Sequence, residues 1–248
     1  MRLARAAPLA LGLLAAACAP TTPVSAPPSP GATSAAATAP SSPAASAGAS
    51  ARATLPHVFV IVMENSSLER ALAEPHIAAL AQRYALARDY RSVASPSLPN
   101  YLALTSGSTW GITDDGYHAL PAGGIGAQLD TAGIPWRAYI EGLTAAGCLR
   151  SPYPYALKHD PFAYYGGACP ANVVPLSGLA SDLAGATPTF VWITPDMCHD
   201  GHDCSVATAG TWLAGEVALI TASAAWRDGG VLFVTWDESG VVPLLVIT

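Results

Sequence analysis

Three short polar clusters carry the side chains that could do chemistry in this sequence. Asp237 and Glu238 follow Trp236 at the end of an apolar, β-branched run, GVLFVT (230–235). Glu64 and Asn65 close a second such run, HVFVIVM (57–63). Oxygen donors of these types suit a hard divalent cation. The third cluster, PDMCHDGHDC (195–204), packs five ionisable side chains between Asp196 and Asp203. Its two histidines and three aspartates are metal ligands or phosphate-contacting acids by type. Ser97 adds a hydroxyl. It precedes Leu98-Pro99 at a predicted helix start, where it reads as an N-cap with proline in the first turn. A hydroxyl there lies beside free N–H groups and the positive end of the helix dipole, which favour both a phosphate and an alkoxide. A neighbouring cation would lower its pKa further. An isolated Ser-x-Pro, by contrast, signals only a cap. His159, in KHDPF (158–162), is a weaker candidate for a phosphate contact. His57, His76 and His118 read as structural or exposed.

The elements that must position these groups alternate between strand and helix. The run 57–63 predicts a strand buried on both faces. Leu68, Leu72, Ile77, Leu80, Ala81 and Tyr84 then share one helical face, with Pro75 breaking the helix in two. A second helix is expected at Tyr101–Thr105, closed by Ser106-Gly107, and a long one over Ser205–Ala225. Further strands are predicted at Trp136–Ile140, Pro188–Thr194, Gly230–Thr235 and Val241–Ile247. Alternation of this kind predicts an α/β fold with a mainly parallel central sheet flanked by helices. Ligands of such sheets gather beyond the carboxyl ends of the strands. Each of the three polar clusters follows a predicted strand. Their convergence on one sheet edge says more than any of them alone.

The amino-terminal quarter has a different character. Arg2 and Arg5 precede an apolar run, Ala6–Ala17, that ends in small residues at Cys18, the order of a secretory signal peptide. Leu14-Ala15-Ala16-Ala17-Cys18 resembles a bacterial lipobox, so residues 1–18 are expected to be a signal segment whose cysteine becomes a lipidated membrane tether. Residues 19–53 are almost all Ala, Ser, Thr and Pro and are expected to form a disordered linker. The folded domain is expected over 54–248. It holds 8 basic against 17 acidic residues, a net charge of −9, with no basic stripe to follow a nucleic-acid backbone. Chemistry on phosphate in so acidic a domain calls for a bound cation. Four cysteines remain after Cys18. Sequence alone permits three pairings, of which Cys148–Cys169 and Cys198–Cys204 close the short loops. A four-thiolate zinc site lacks the paired CxxC spacing it would need.

The strings HVFVIVMENSS (57–67), SPSLPNYLALTSGS (95–108), KHDPFAYY (158–165), PDMCHDGHDCSVATAGTWL (195–213) and VLFVTWDE (231–238) resemble the phosphoesterase family that includes bacterial acid phosphatases and phospholipases C, within the alkaline-phosphatase-like superfamily. The resemblance spans nearly the whole domain, in order. It implies a hydrolase of phosphoric esters using a divalent metal of unspecified identity, with Ser97 as a nucleophile that is transiently phosphorylated. Glu64, Asn65, Asp237 and Glu238 match metal-site residues, with Asp196 and Asp200 as further candidates. His159 and His202 match histidines that contact phosphate or protonate the leaving oxygen. Phosphomonoester hydrolysis of the acid-phosphatase type is the leading expectation. A phospholipase C-type diesterase and an inactive surface protein that binds phosphate or metal are the alternatives. Two departures stand out. The connection Ser239-Gly240 is shorter than the Gly- and Asp-rich loop usual in the family. Relatives are also expected to continue through a further strand, helix and histidine, so that this chain lacks their carboxyl-terminal part.

Overall fold

The computed structural model describes residues 55–248. The expected signal segment (1–18) and linker (19–53) lie outside the described residues.

Period-two alternation organises the molecule. In β1 (Val58–Met63) the side chains of Phe59, Ile61 and Met63 enter one core, while those of Val58, Val60 and Val62 enter a second on the opposite face. A strand covered on both sides therefore reads as an unbroken apolar run. The first core is covered by α1 (Leu68–Leu72) and α2 (Pro75–Arg83), and three further helices, α5 (Leu179–Ala184), α6 (Val206–Thr221) and α7 (Ala224–Arg227), complete that layer with Leu183, Leu213, Val217, Ile220 and Ala225. The second is covered by α3 (Ser97–Ser106), α4 (Gly124–Ala132) and two 3-10 turns within Leu157–Tyr164.

The remaining strands are β2 (Ala85–Arg91), β3 (Trp136–Ile140), β4 (Val173–Pro175), β5 (Phe190–Thr194), β6 (Val231–Trp236) and β7 (Val241–Ile247). They form one seven-stranded sheet in the order β2-β7-β6-β1-β5-β3-β4. The five strands from β6 to β4 run parallel, and β7 and β2 are antiparallel to their neighbours. The mainly parallel α/β sheet is as expected. Because β6, β1 and β5 are adjacent, the three polar clusters that follow them emerge side by side.

Several elements depart from the sequence reading. Strand β2 has charged residues and an exposed pattern, because it is an edge strand with a register shift between Ala87 and Tyr90. Helix α4 and the short β4 and α5 carry too weak a periodicity to be seen. The long carboxyl-terminal helix is two helices: Ser223 accepts the N–H of Trp226 and caps α7 afresh. Both disulfides pair as expected, Cys148 with Cys169 and Cys198 with Cys204. Among the described residues no helix is long and apolar enough to cross a membrane.

The contact between α2 and α6 is close enough to require glycine. A Cβ at Gly210 would overlap the carboxylate of Glu74, which is buried and accepts the N–H of Ile77 at 2.8 Å to cap α2. Gly210→Ala should therefore lower stability by about 1–3 kcal/mol through overpacking. Gly215→Ala, on the same helix with open space around it, should raise stability by up to about 1 kcal/mol. Urea unfolding of the two variants checks the contrast.

Candidate active site

Register fixes the centre of the site. Met63 of β1 pairs with Trp236 of β6, so the next residues, Glu64 and Asp237, leave the sheet together. Main-chain bonds hold both: the Glu64 N–H reaches the Asp200 carbonyl at 2.9 Å, and the Asp237 N–H reaches that of Met63 at 3.0 Å. Asn65 takes a left-handed backbone (φ 51°), which asparagine tolerates, and gives its N–H to Asp237 Oδ1 at 3.2 Å. Glu64, Asp237 and Glu238 each present an oxygen within 4.8 Å of the other two. Glu64 and Asp237 are 0% and 1% exposed; Glu238 is half-buried.

Ser97 joins this cluster. Its hydroxyl donates to Glu64 Oε2 at 3.1 Å and lies 3.5 Å from Glu238 Oε1. The N-cap expected at Ser97 is not what forms. Ser97 is the first residue of α3 and Pro96 precedes it without a side-chain cap. The hydroxyl turns to the carboxylates, and Asp115 from a distant loop accepts the Leu98 N–H at 3.0 Å in its place. Asn100, buried one turn into α3, braces the chain that delivers Ser97. Its Oδ1 accepts the N–H groups of Val93 and Ala94 at 3.0 and 2.9 Å, and its Nδ2 donates to the carbonyls of Ala94 and Pro96.

The two predicted histidines occupy different layers. His159 is 1% exposed, stacked on Tyr101 with ring centroids 5.2 Å apart. Its Nε2 lies 3.1 Å from Glu64 Oε1 and its Nδ1 3.1 Å from Asp200 Oδ2, neither aligned as a regular hydrogen bond. Enclosed in this way it stands between the carboxylates of Glu64 and Asp200, away from the surface. His202 is half-buried nearer the surface. Its Nδ1 faces Asp203 at 2.8 Å, its Nε2 faces Lys158 Nζ at 3.1 Å, and its N–H is held by Asp200 Oδ1 at 2.7 Å. Lys158 also pairs with Asp115 at 3.2 Å. A cationic donor and an imidazole thus stand together at the half-buried rim, linked through Asp115 to the start of α3.

Asp196 is not among the groups gathered at Ser97. Its Oδ1 accepts the N–H groups of Cys198 and His199, capping the turn after β5, and it clusters with Glu141 and His199 instead. Asp200, four residues on, does reach the site through His159. Asp115, Lys158 and Asn100 were not among the site residues read from sequence. Lys158 adjoins His159 and was in view; Asp115 sits in an ordinary-looking turn, and nothing in its spacing marks it.

The electrostatics call for a cation. Burial, then Asp237 and Asp200, push Glu64 well above the usual carboxylate range. Burial likewise raises Asp237 to about 6 and Asp200 to about 7. Burial, aided by Lys158 and His202, pushes His159 well below its ordinary value, toward the neutral ring. Asp237 Oδ2 is buried with no hydrogen-bond partner. Buried carboxylates with unmet oxygens fit a hard divalent ion, whose charge would restore their ionised forms.

Residues 70–244 match the Phosphoesterase family, and the chain belongs to it. Ser97, His159, His202, Asp237 and Glu238 lie within the matched span; Glu64 and Asn65 lie just before it. The acid phosphatase of Aspergillus niger is 28% identical over 195 residues, 73% of this chain and 47% of that protein. The phosphatidylinositol-3-phosphatase of Mycobacterium tuberculosis is 32% identical over 200 residues, 77% of this chain and 66% of that protein. This chain thus spans about half the length of the fungal acid phosphatases it resembles. Among solved structures, the periplasmic domain of phosphoethanolamine transferase EptC from Campylobacter jejuni is similar with a TM-score of 0.49 at 10% identity, over 78% of this chain and 80% of that one.

Raised carboxyl pKa values have a sign that can be checked. A carboxyl whose folded pKa exceeds its unfolded value stabilises the fold below the unfolded pKa, and that contribution is lost as pH rises through the folded one. Metal-free protein should therefore lose stability between about pH 4 and pH 7, the interval bounded by the ordinary aspartate value and that of Asp200. A divalent ion should restore it at neutral pH. Thermal melts across pH, with and without metal, report both effects. Glu238→Gln, which removes one charge at a half-buried position, should weaken metal affinity by at least about ten-fold in calorimetry.

Proposed function

We propose that this protein is an exported, metal-dependent phosphomonoesterase that works through a phosphoseryl intermediate on Ser97. The single observation that carries the reading is the Ser97 hydroxyl, 3.1 Å from Glu64 within a buried carboxylate cluster. Glu64, Asp237 and Glu238 would hold the divalent ion. When bound, the ion supplies positive charge that lowers the serine pKa and offsets the charge gathering on the phosphoryl oxygens.

The chain's own residues account for the rest of the cycle. Asp115 and Asn100 fix the start of α3 so that the Ser97 oxygen is presented without a search of conformations. Glu64 accepts the hydroxyl proton, and the freed oxygen attacks phosphorus as the ester oxygen departs. Lys158 and His202, in contact at the rim, bind the incoming phosphate and supply the proton the leaving alcohol takes. Water then attacks the phosphoserine, releasing phosphate and regenerating the hydroxyl. Asp203 accepts the Nδ1–H of His202, which leaves Nε2 to take a proton from Lys158 and pass it on.

Monoester over diester chemistry is favoured by the named relatives, acid phosphatases and a phosphatidylinositol-3-phosphatase. Export is supported by the sequence of residues 1–18 and by two disulfides in the folded part. In this reading 19–53 is a linker, and a lipidated Cys18 tethers the 54–248 domain at a membrane face.

Hydrolysis of a chromogenic monoester tests the proposal. Ser97→Ala should lower kcat by at least about a thousand-fold while the variant still binds metal. Chelation should abolish turnover of the wild type, and a divalent salt should restore it. Full activity in Ser97→Ala, or turnover that ignores chelator, would overturn it.

A further inference from the structure

A cleft of about 300 Å³ opens beside the reaction centre, with Asp115, Tyr153, Leu157, Lys158 and Met197 in its lining. Two of these five residues also belong to the site. Asp115 holds the N–H of Leu98, the residue after Ser97, and Lys158 adjoins His159 and touches His202. The cleft therefore borders, through Lys158 and Asp115, the residues that would bind phosphate. We propose that it holds the alcohol portion of the ester, and that it selects leaving groups with a flat aryl or heteroaryl ring. This inference rests on the Ser97 reading above.

Three observations support a ring over a linear polyol. Tyr153 is 68% exposed and lines the same cleft as Lys158 and Asp115, so it can offer a ring to stack on. A lone exposed tyrosine is ordinary on any surface; one placed where a leaving group must pass is not. Met197 and Leu157 offer polarisable and aliphatic contacts to the edge of a ring, and methionine sulfur favours aromatic neighbours. Asp115, half-buried, can accept a hydrogen bond from a hydroxyl or amine on that ring. The volume also fits. Binding sites for small organic molecules begin at about 300 Å³, too little for two acyl chains. The other cleft that touches the site, lined by Tyr90, Val93, Leu104 and Asp237, holds about 110 Å³. That is less than the roughly 150 Å³ that admits benzene.

Non-hydrolysable phosphonates separate ring recognition from the intrinsic ease with which phenols leave. Calorimetric titration of the metal-loaded full chain with benzylphosphonate and with ethylphosphonate gives the two dissociation constants directly. The benzyl compound should bind about ten-fold more tightly. Tyr153→Ala should erase that difference, Tyr153→Phe should keep it, and ethylphosphonate should bind all three proteins alike. Equal binding of the two phosphonates to the wild type, or a difference that survives Tyr153→Ala, overturns the ring-selective cleft and leaves the Ser97 reading standing. Binding of neither phosphonate overturns both.

Discussion

Glu64 and Asp237 cannot move apart, and the rest of the site follows from that constraint. They succeed Met63 and Trp236, which are partners in the β1–β6 ladder, so their main chains lie about one strand spacing apart. Both are buried, and Asp237 raises the cost of ionising Glu64. Two carboxylates in this position have few options. They can hold protons, find a basic partner, or share a metal ion. Neither lies in a salt bridge with lysine or arginine among the described residues. The nearest lysine, Lys158, is engaged with Asp115 and His202. In the function proposed above, a divalent ion would be the partner that suits both side chains.

His159 extends the same logic one layer inward. A neutral imidazole offers one donor and one acceptor, yet both its nitrogens face carboxyl oxygens, of Glu64 and of Asp200. It can serve both neighbours only if one of them carries a proton. Burial raises both candidates, Glu64 well above the usual carboxylate range and Asp200 to about 7, so either can hold that proton when no cation is bound. Asp200 also accepts the His202 N–H and gives its carbonyl to Glu64. One aspartate thus couples the buried ring, the Glu64 carboxylate and the rim histidine.

What the sequence made legible follows from where each signal resides. Strands β1, β5 and β6 are apolar on both faces, so they stand out as unbroken runs, and the polar residues at their ends mark the productive sheet edge. Ser97, Asp237 and Glu238 were found because their context is local. The misplaced N-cap at Ser97 shows the opposite case: the competing partner, Glu64, lies 33 residues away, and no local pattern reveals it. Asp196 was drawn into the site because it shares a loop with Asp200, although its own oxygen is committed to the turn. Edge strand β2 was invisible because one of its sides has no neighbour to bury apolar residues against.

The short connection after Glu238 is one of the two departures from the resemblance, and the structure gives it a use. Strands β6 and β7 are joined through Asp237–Gly240, with Ser239 and Gly240 at φ 111° and 78°. The turn brings Gly240 against Ser92, and the two exchange hydrogen bonds: the Ser92 N–H to the Gly240 carbonyl at 2.9 Å, and the Gly240 N–H to Ser92 Oγ at 3.1 Å. Ser92 ends the β2 segment and begins the loop that Asn100 clamps before Ser97. The carboxylates and Ser97 are therefore tied by main chain on the side of the turn, as well as by the Ser97–Glu64 hydrogen bond within the site. A longer loop would place the same side chains on a freer backbone. Here the turn itself limits how far Glu238 can drift from the serine it faces, and preorganisation of this kind is what the proposed metal site would need.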